Sequence, residues 1–363
     1  LLTAATRRAE REAVRAGLGA GTIDLLVGTQ ALLDARADCR DPRLVVVDEQ
    51  HRFGVGQRAR LREGSAAEVV PHLLVMSATP IPRSLALTMY GDLDVTLLPD
   101  RPAGRQPVAT SICASDAERA AAYAALAEAV AAGRQGFVVC PTRERSARPQ
   151  GLTAVAHHRA LARRLAPARV GLLHGALESA EKEKALGAFA AGALDVLVAT
   201  TVVELGIDVA NATVMIVEEA ERFGLAQLHQ LRGRVGRGTH AGRCFLLPGG
   251  GGGGGDGAGE GGEDTPAAER LRRLAETDDG LRIAEADLAL RGPGELFGAR
   301  QAGAPPPVFV DLPGTLALLE IARAEAERVI EDDPTLVHPE HARLREAVEA
   351  RWARASVYGE EAG

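Results

Sequence analysis

The chain has 363 residues, of which 46% are hydrophobic and 25% are charged, a composition typical of a globular protein with two or three domains. The formal net charge of −7 argues against a protein that coats nucleic acid through bulk positive charge. No apolar run approaches the roughly 18 residues that a membrane-spanning helix needs. The four cysteines never form a Cys-x-x-Cys pair, so neither a disulfide framework nor a zinc ribbon is predicted, and a cytoplasmic location fits this cysteine usage.

Local charge is more informative than net charge. Arg7, Arg11 and Arg15 recur every four residues and would line one face of a helix near the start of the chain. A second arginine cluster spans 143–164. Either cluster could neutralise phosphate groups, but a run of arginines is equally typical of a solvated helix face.

Short apolar runs alternate with helical patterns along the chain, which predicts an α/β fold built from parallel sheets. A helix is predicted from Ser115, where Glu118 completes a capping box, to Gly133. Two further helices are predicted at Pro266–Gly280 and Ala284–Leu290. The predicted strands are Asp24–Thr29, Leu44–Asp48, His72–Ser77, Gly136–Cys140, Val170–Leu173, Val196–Thr200, Val214–Val217 and Cys244–Leu247.

Two changes in composition divide the chain. The proline-rich segment 99–107 is typical of a linker, and 249–262 is almost pure glycine with acidic residues, a flexible insertion that needs no fold of its own. The predicted organisation is a partial first α/β domain at 1–103, a second at 104–248, the insertion at 249–265, and a helical carboxy-terminal element at 266–363.

The first candidate site follows the predicted strand Leu44–Asp48. Paired carboxylates at the carboxyl end of a strand, here Asp48 and Glu49, stand where α/β folds bind ligands, and they could hold Mg²⁺ and orient a water. Taken alone, such a pair is equally typical of an exposed turn. The next predicted strand ends in Ser77 and Thr79, whose hydroxyls could hydrogen-bond these carboxylates.

Together these segments resemble a known family. Asp48-Glu49-Gln50-His51 and Ser77-Ala78-Thr79 resemble motifs II and III of superfamily 2 helicases, and 199–209 and 227–237 resemble motifs V and VI. The strings at 52–55 and 80–95 are similar to the RecG family of ATP-dependent DNA helicases in particular. The resemblance implies two RecA-like domains, of which the first is incomplete here.

The resemblance also implies a role for each matching residue. The residues expected to hold Mg²⁺, orient the water and relay between the motifs are Asp48, Glu49, Gln50, His51, Ser77 and Thr79. The residues expected to contact ATP are Gly206, Asp208, Arg234 and Arg237, with the two arginines at the γ-phosphate and Gln230 supporting them. Arginine suits that position because its fork matches phosphate oxygens, although an arginine-rich helix is also typical of a nucleic-acid or surface patch. The residues expected to touch the DNA backbone are Gly28, Thr29 and Thr200.

The segment 287–301 resembles the helical hairpin and loop shared by RecG and the transcription-repair coupling factor. In those families this element turns motor closure into movement along duplex DNA. The residues assigned to the coupling are Arg291, Gly292, Gly294, Glu295 and Gln301. Without the motor motifs, a Gly-Pro segment of this kind would be interpreted as an ordinary loop.

The implied function is ATP-driven translocation on double-stranded DNA that remodels stalled forks and Holliday junctions in recombination and repair. The implied partners are branched DNA and a single-stranded-DNA-binding protein, with the protein a monomer. The alternatives are a transcription-repair coupling translocase and a non-catalytic nucleic-acid-binding fragment.

A phosphate-binding P-loop is missing from the sequence. Its lysine must follow a glycine-rich loop, whereas the two lysines of the chain, Lys182 and Lys184, lie in a charged helical segment. The chain begins at Leu1, so we expect the P-loop and the family's amino-terminal wedge domain to precede it. The chain by itself is therefore expected to be inactive.

Overall fold

A computed structural model describes residues 1–3, 6–29, 32, 42–48, 71–77, 96, 98, 106–141, 154–200, 208–249, 265–291 and 316–350. The strands are β1 (Leu44–Val47), β2 (His72–Val75), β3 (Ala109–Ile112), β4 (Gln135–Val139), β5 (Val170–Leu173), β6 (Val196–Ala199), β7 (Ala212–Glu218) and β8 (Arg243–Leu247). The helices are α1 (Arg8–Ala20), α2 (Asp116–Ala131), α3 (Ala154–Arg164), α4 (Ser179–Ala190), α5 (Leu225–Arg232), α6 (Pro266–Glu276), α7 (Gly280–Arg291) and α8 (Leu316–Asp332). Within these ranges no helix is both long and apolar enough to cross a membrane.

Residue contacts divide the chain into two compact units, one of residues 1–78 and 293–363 and the other of residues 79–292. Helices α6 and α7 therefore belong to the same unit as strands β3 to β8, and α8 belongs to the other. The domain boundaries given above stay predictions, because the predicted linker and insertion lie almost wholly outside the described residues.

In the first unit, β1 and β2 form the parallel pair expected of two α/β strands, with Leu44 beside His72 and Val47 beside Val75. The predicted strand at 24–29 forms only an isolated bridge between Gly28 and Leu2. The carbonyl of Thr3 accepts the N–H of Thr6 at 3.1 Å, and α1 begins at Arg8, so few residues separate the bridge from the helix.

The second unit is a six-stranded parallel sheet with the order β3-β8-β7-β4-β6-β5, which confirms the α/β fold class. The central strands β4, β6 and β7 are buried along their whole length, because helices cover both faces. Alternate residues of β7 enter two different cores. Met215 and Val217 pack in the core that includes residues of α5, α6 and α7, and Val214 and Ile216 pack in the core that includes residues of α2 and α3.

At the start of this unit, the structure confirms one prediction, the capping box of α2, and contains one strand, β3, that the sequence did not predict. Helix α2 begins after Ser115, whose Oγ accepts the N–H of Glu118 at 3.3 Å while the Glu118 carboxylate accepts the N–H of Ser115 at 2.9 Å, so the predicted capping box is confirmed. Strand β3 was not predicted. Its sequence Ala-Thr-Ser-Ile has a weak apolar pattern because it forms one edge of the sheet, where its side chains are exposed or half-buried.

Candidate functional site

The carboxyl ends of β1 and β2 bring two of the predicted motor residues to the same edge of the first unit. The N–H of Met76 donates to the carbonyl of Val47 at 2.7 Å, so Asp48 and Ser77 follow neighbouring strand ends, and both are exposed. Each of the two makes a polar or electrostatic contact. The predicted partners Glu49, Gln50, His51 and Thr79 lie outside the described residues.

Gly28, a predicted DNA contact, has a structural reason to be glycine. The N–H of Leu2 donates to the carbonyl of Val27 at 2.8 Å and the N–H of Thr29 donates to the carbonyl of Leu2 at 3.2 Å. A Cβ added at Gly28 would lie 1.9 Å from the Leu2 carbonyl oxygen, far inside contact distance. The glycine is thus required by the approach of its own chain, while Thr29 is exposed beside it.

The segment similar to motif VI is a short helix followed by a glycine turn. Leu225, Leu228 and Leu231 are buried in the core, and the half-buried Gln230 lies on the same helix α5. The prediction of an arginine-rich helix is wrong for two of its three arginines, because α5 ends at Arg232. Arg234 and Arg237 follow the helix end, in the segment that contains Gly233 and Gly236.

The turn after α5 is fixed by the close approach of two backbone segments. Gly236 has a φ of 68°, and its N–H donates to the carbonyl of Ala212 at the start of β7 at 3.0 Å. A Cβ at Gly236 would lie 2.9 Å from the backbone nitrogen of Gly242, so a larger residue does not fit. The turn therefore holds Arg237 beside the amino end of β7.

Arg237 and Asp208, both predicted to contact the nucleotide, form an ion pair. The Arg237 Nη1 to Asp208 Oδ1 distance is 3.4 Å, and Arg237 Nε donates to the carbonyl of Gly233 at 2.9 Å. The Arg237 side chain is 28% exposed and that of Asp208 is 70% exposed. Arg234 is half-buried and also has a partner. The structure thus brings together, at the surface, one residue of the segment similar to motif V and one of the segment similar to motif VI. Gly206 lies outside the described residues.

Thr200, a predicted DNA contact, lies at the carboxyl end of β6 and is 8% exposed. Its N–H donates to the carbonyl of Leu173 at 3.1 Å. Its hydroxyl is buried and makes no hydrogen bond within the part of the chain that the structure describes.

Arg232 is a buried arginine whose importance the sequence analysis missed. It is 3% exposed, its Nη1 donates to the carbonyls of Leu274 at 2.7 Å and Thr277 at 2.8 Å, and the same nitrogen lies 3.1 Å from Asp278 Oδ1. Arg232 therefore ties the end of α5 to the connection between α6 and α7. The signal that could have identified it is its spacing, seven residues after the buried Leu225 on the apolar face of α5.

The coupling segment is only partly described. Helix α7 ends at Arg291, of which the backbone alone is described. Gly292, Gly294, Glu295 and Gln301 lie outside the described residues.

A second polar group that the sequence analysis missed is a buried cluster at the carboxyl end of β7. The Tyr123 hydroxyl donates to Glu218 Oε1 at 2.5 Å and lies 2.5 Å from His157 Nε2, and Arg119 Nη2 donates to Glu218 Oε2 at 2.7 Å. Because the tyrosine proton goes to Glu218, His157 is assigned the Nε2–H tautomer, which leaves its buried Nδ1 without a partner among the described residues. Burial raises the pKa of Tyr123 and lowers the pKa of His157.

Profiles of three protein families match the chain in sequence order. They are the DEAD/DEAH box helicase at 1–88, the helicase conserved C-terminal domain at 121–239, and the C-terminal part of domain 3 of the ATP-dependent DNA helicase RecG at 277–354. The last match is specific to RecG and covers the segment for which a transcription-repair coupling translocase was the alternative.

Individual relatives agree with these profiles. The ATP-dependent DNA helicase RecG of Synechocystis sp. is 45% identical over 94% of this chain and 39% of its own length, and that of Bacillus subtilis is 40% identical over 95% and 48%. A solved structure of RecG bound to a three-way DNA junction is 41% identical, with a TM-score of 0.64 over 88% of this chain and 39% of that chain. The chain thus spans less than half the length of these relatives.

Proposed function

The chain belongs to the RecG family of ATP-dependent DNA helicases. We propose that it contributes the Mg²⁺-binding carboxylate and the phosphate-binding arginine of an ATPase, and that this ATPase drives movement along branched double-stranded DNA. The preference for branched DNA rests on the relative whose structure was solved on a three-way junction. We infer that the protein works as a monomer in the cytoplasm, where reduced cysteines such as the three described free thiols persist.

The observation that carries this proposal is the Asp208–Arg237 ion pair. The arginine is held by the carbonyl of Gly233 yet stays 28% exposed, so its guanidinium is oriented but not enclosed. A guanidinium paired with a carboxylate can exchange it for a phosphate, because the two anions offer the same fork of oxygens. Arg237 is therefore our candidate for the residue that stabilises the γ-phosphate during hydrolysis.

The first unit would bind the Mg²⁺ ion that accompanies ATP. The Asp48 carboxylate and the Ser77 hydroxyl are exposed oxygen donors on neighbouring strand ends, the donor type that Mg²⁺ prefers. When bound there, Mg²⁺ would neutralise charge on the phosphates of ATP. The lysine of a P-loop has no counterpart in these 363 residues, so the isolated chain is not expected to hydrolyse ATP.

Coupling of hydrolysis to movement would pass from motif VI to the helices that follow the insertion. Arg232 joins α5 directly to the connection between α6 and α7, and α7 ends at Arg291. These hydrogen bonds connect motif VI to the helices that precede Arg291. A displacement of the motif VI turn can therefore be transmitted to the segment that begins at Arg291.

This proposal is tested with the full-length gene product and a forked DNA substrate. In Arg291→Ala and Gln301→Ala we expect DNA-stimulated ATP hydrolysis to persist while fork unwinding falls at least tenfold. Equal loss of both rates would indicate a folding or catalytic defect, and unchanged unwinding would show that the segment is only a connector. A Glu49→Gln variant, expected to lose hydrolysis, sets the background of the ATPase measurement.

A further inference from the structure

The turn after α8 is built around one buried carboxylate in the first unit. Asp333 follows the last residue of α8 and is 2% exposed. Its Oδ1 accepts the N–H of Val337 at 2.9 Å and its Oδ2 accepts the N–H of His338 at 2.9 Å. Both oxygens are thus fixed by the backbone of the turn.

Two histidines stand beside this carboxylate. His341 Nδ1 lies 2.9 Å from Asp333 Oδ2, and the rings of His338 and His341 are stacked with centroids 5.9 Å apart and an angle of 10° between their planes. The short 3₁₀ helix Pro339–His341 explains this stacking, because residues three apart in such a helix lie directly above one another. Glu340 Oε1 lies 3.9 Å from His338 Nδ1.

We propose that Asp333, His338 and His341 form a binding site for one divalent transition-metal ion of the Zn²⁺ class. One ligand atom from each of the three residues lies within 4.8 Å of the other two. In a tetrahedral zinc site with metal–ligand bonds near 2.0–2.1 Å, the ligand atoms lie about 3.4 Å apart. Small rotations of the His338 and His341 side chains are therefore enough to close the site around an ion, and solvent or Glu340 completes it.

The ligand types select the class of ion. Two imidazoles and one carboxylate suit Zn²⁺, whereas Mg²⁺ prefers an all-oxygen set. The ion would replace the proton that His341 Nδ1 shares with Asp333, and the ring would stay neutral by carrying its proton on Nε2. His338 is 46% exposed in its side chain, so the ion has a path of entry from solvent.

A bound ion would fasten the end of α8 to the helical residues 342–350 that follow the turn. This role concerns the folding of the turn and does not depend on ATP hydrolysis. The site can therefore be present or absent whatever the proposed motor function turns out to be.

The test uses the 363-residue chain after removal of metal with a chelator. Calorimetric titration with ZnCl₂ is expected to show one saturable site, and both His338→Gln and His341→Gln are expected to weaken it by at least tenfold. His240→Gln, a change at an exposed histidine of the other unit, is the matched control and should bind Zn²⁺ as the parent does. MgCl₂ is expected not to compete with Zn²⁺ for this turn, because Mg²⁺ prefers an all-oxygen set of ligands.

Hydrogen–deuterium exchange of the unmutated chain makes the test independent of how the variants fold. Zn²⁺ should slow exchange at the backbone amides of the non-proline residues within 333–341. The absence of saturable binding, parent-like binding in either His338→Gln or His341→Gln, or zinc-induced protection that falls outside this turn would each overturn the proposal.

Discussion

Strand β7 has a polar site near each end, and the two sites differ mainly in burial. At the carboxyl end, Glu218 is 2% exposed and is held by both Arg119 and Tyr123. Beside the amino end, Asp208 is 70% exposed in its side chain and meets the partly exposed Arg237. The Glu218 carboxylate keeps its partners because it is buried away from water, whereas an exposed pair contributes little stability and can exchange partners.

The comparison shows that position on a sheet does not by itself separate a structural polar cluster from a candidate ligand site. The general preference of α/β folds for ligands at the carboxyl edge would select the Glu218 end. There, however, the carboxylate already has an arginine and a tyrosine as partners and is almost fully buried. Asp208 and Arg237, which we propose as nucleotide contacts, lie beside the amino end, where the guanidinium is oriented and partly exposed.

The largest expected effect tests the exposed site. In the full-length gene product, Arg237→Ala should lower the turnover of ATP hydrolysis by about a thousandfold or more, while DNA affinity changes little. Arg169→Ala removes a comparable exposed ion pair, with Asp195, and should leave turnover unchanged. Steady-state hydrolysis and DNA-binding titrations measure both quantities. Loss of DNA affinity with turnover retained would assign Arg237 to a DNA patch instead.

The next effect tests the buried site. Glu218→Gln leaves Arg119 without its carboxylate and should lower the free energy of unfolding of the second unit by on the order of 3 kcal/mol. Asp195→Asn breaks an exposed pair and should cost no more than about 1 kcal/mol. Denaturant unfolding of the two variants compares these costs. Equal costs would contradict the contrast between buried and exposed pairs.

A smaller effect concerns pH at the same buried cluster. The pKa of His157 is lowered by burial, so the unfolded chain, with a histidine pKa near 6.5, takes up a proton before the folded chain does. Stability should therefore fall as the pH drops through about 6.5, because protonation would place an N–H without an acceptor at the buried Nδ1. Thermal unfolding at pH 7.5 and 5.5 should show a smaller decrease in His157→Gln than in the parent. An identical decrease in the two proteins would show that His157 does not cause the loss of stability.

The smallest effect concerns the glycine insertion, which begins next to the buried site. Arg119 Nη1 donates to the carbonyl of Pro248, and the N–H of Gly249 donates to both carboxylate oxygens of Glu221 at 3.0 and 3.1 Å. Beyond the insertion, Arg270 Nη2 lies 3.3 Å from the Glu221 carbonyl, so both flanks meet the same residue. Shortening 249–262 to four residues should change the free energy of unfolding by no more than about 1 kcal/mol. A larger loss, measured by denaturant unfolding, would reveal contacts made by the tract.

The sequence by itself determined the α/β class, most of the strands and the start of α2. These features depend on local patterns: a buried parallel strand needs a continuous apolar run, and the Ser115 cap needs only its own neighbours. The sequence also determined the family, because long motifs in a fixed order occur together in it. The edge strand β3 escaped prediction because an edge position does not demand an apolar run.

Only the tertiary structure decided which polar residues are buried together. Arg119, Tyr123, His157 and Glu218 are separated by up to 99 residues, and no local pattern joins them. It likewise separated the arginines of motif VI, burying Arg232 against the carbonyls at the end of α6 and leaving Arg237 at the surface beside Asp208. The physical reason is that hydrogen bonds and desolvation act between residues brought close by folding, whereas sequence patterns record only the neighbours along the chain.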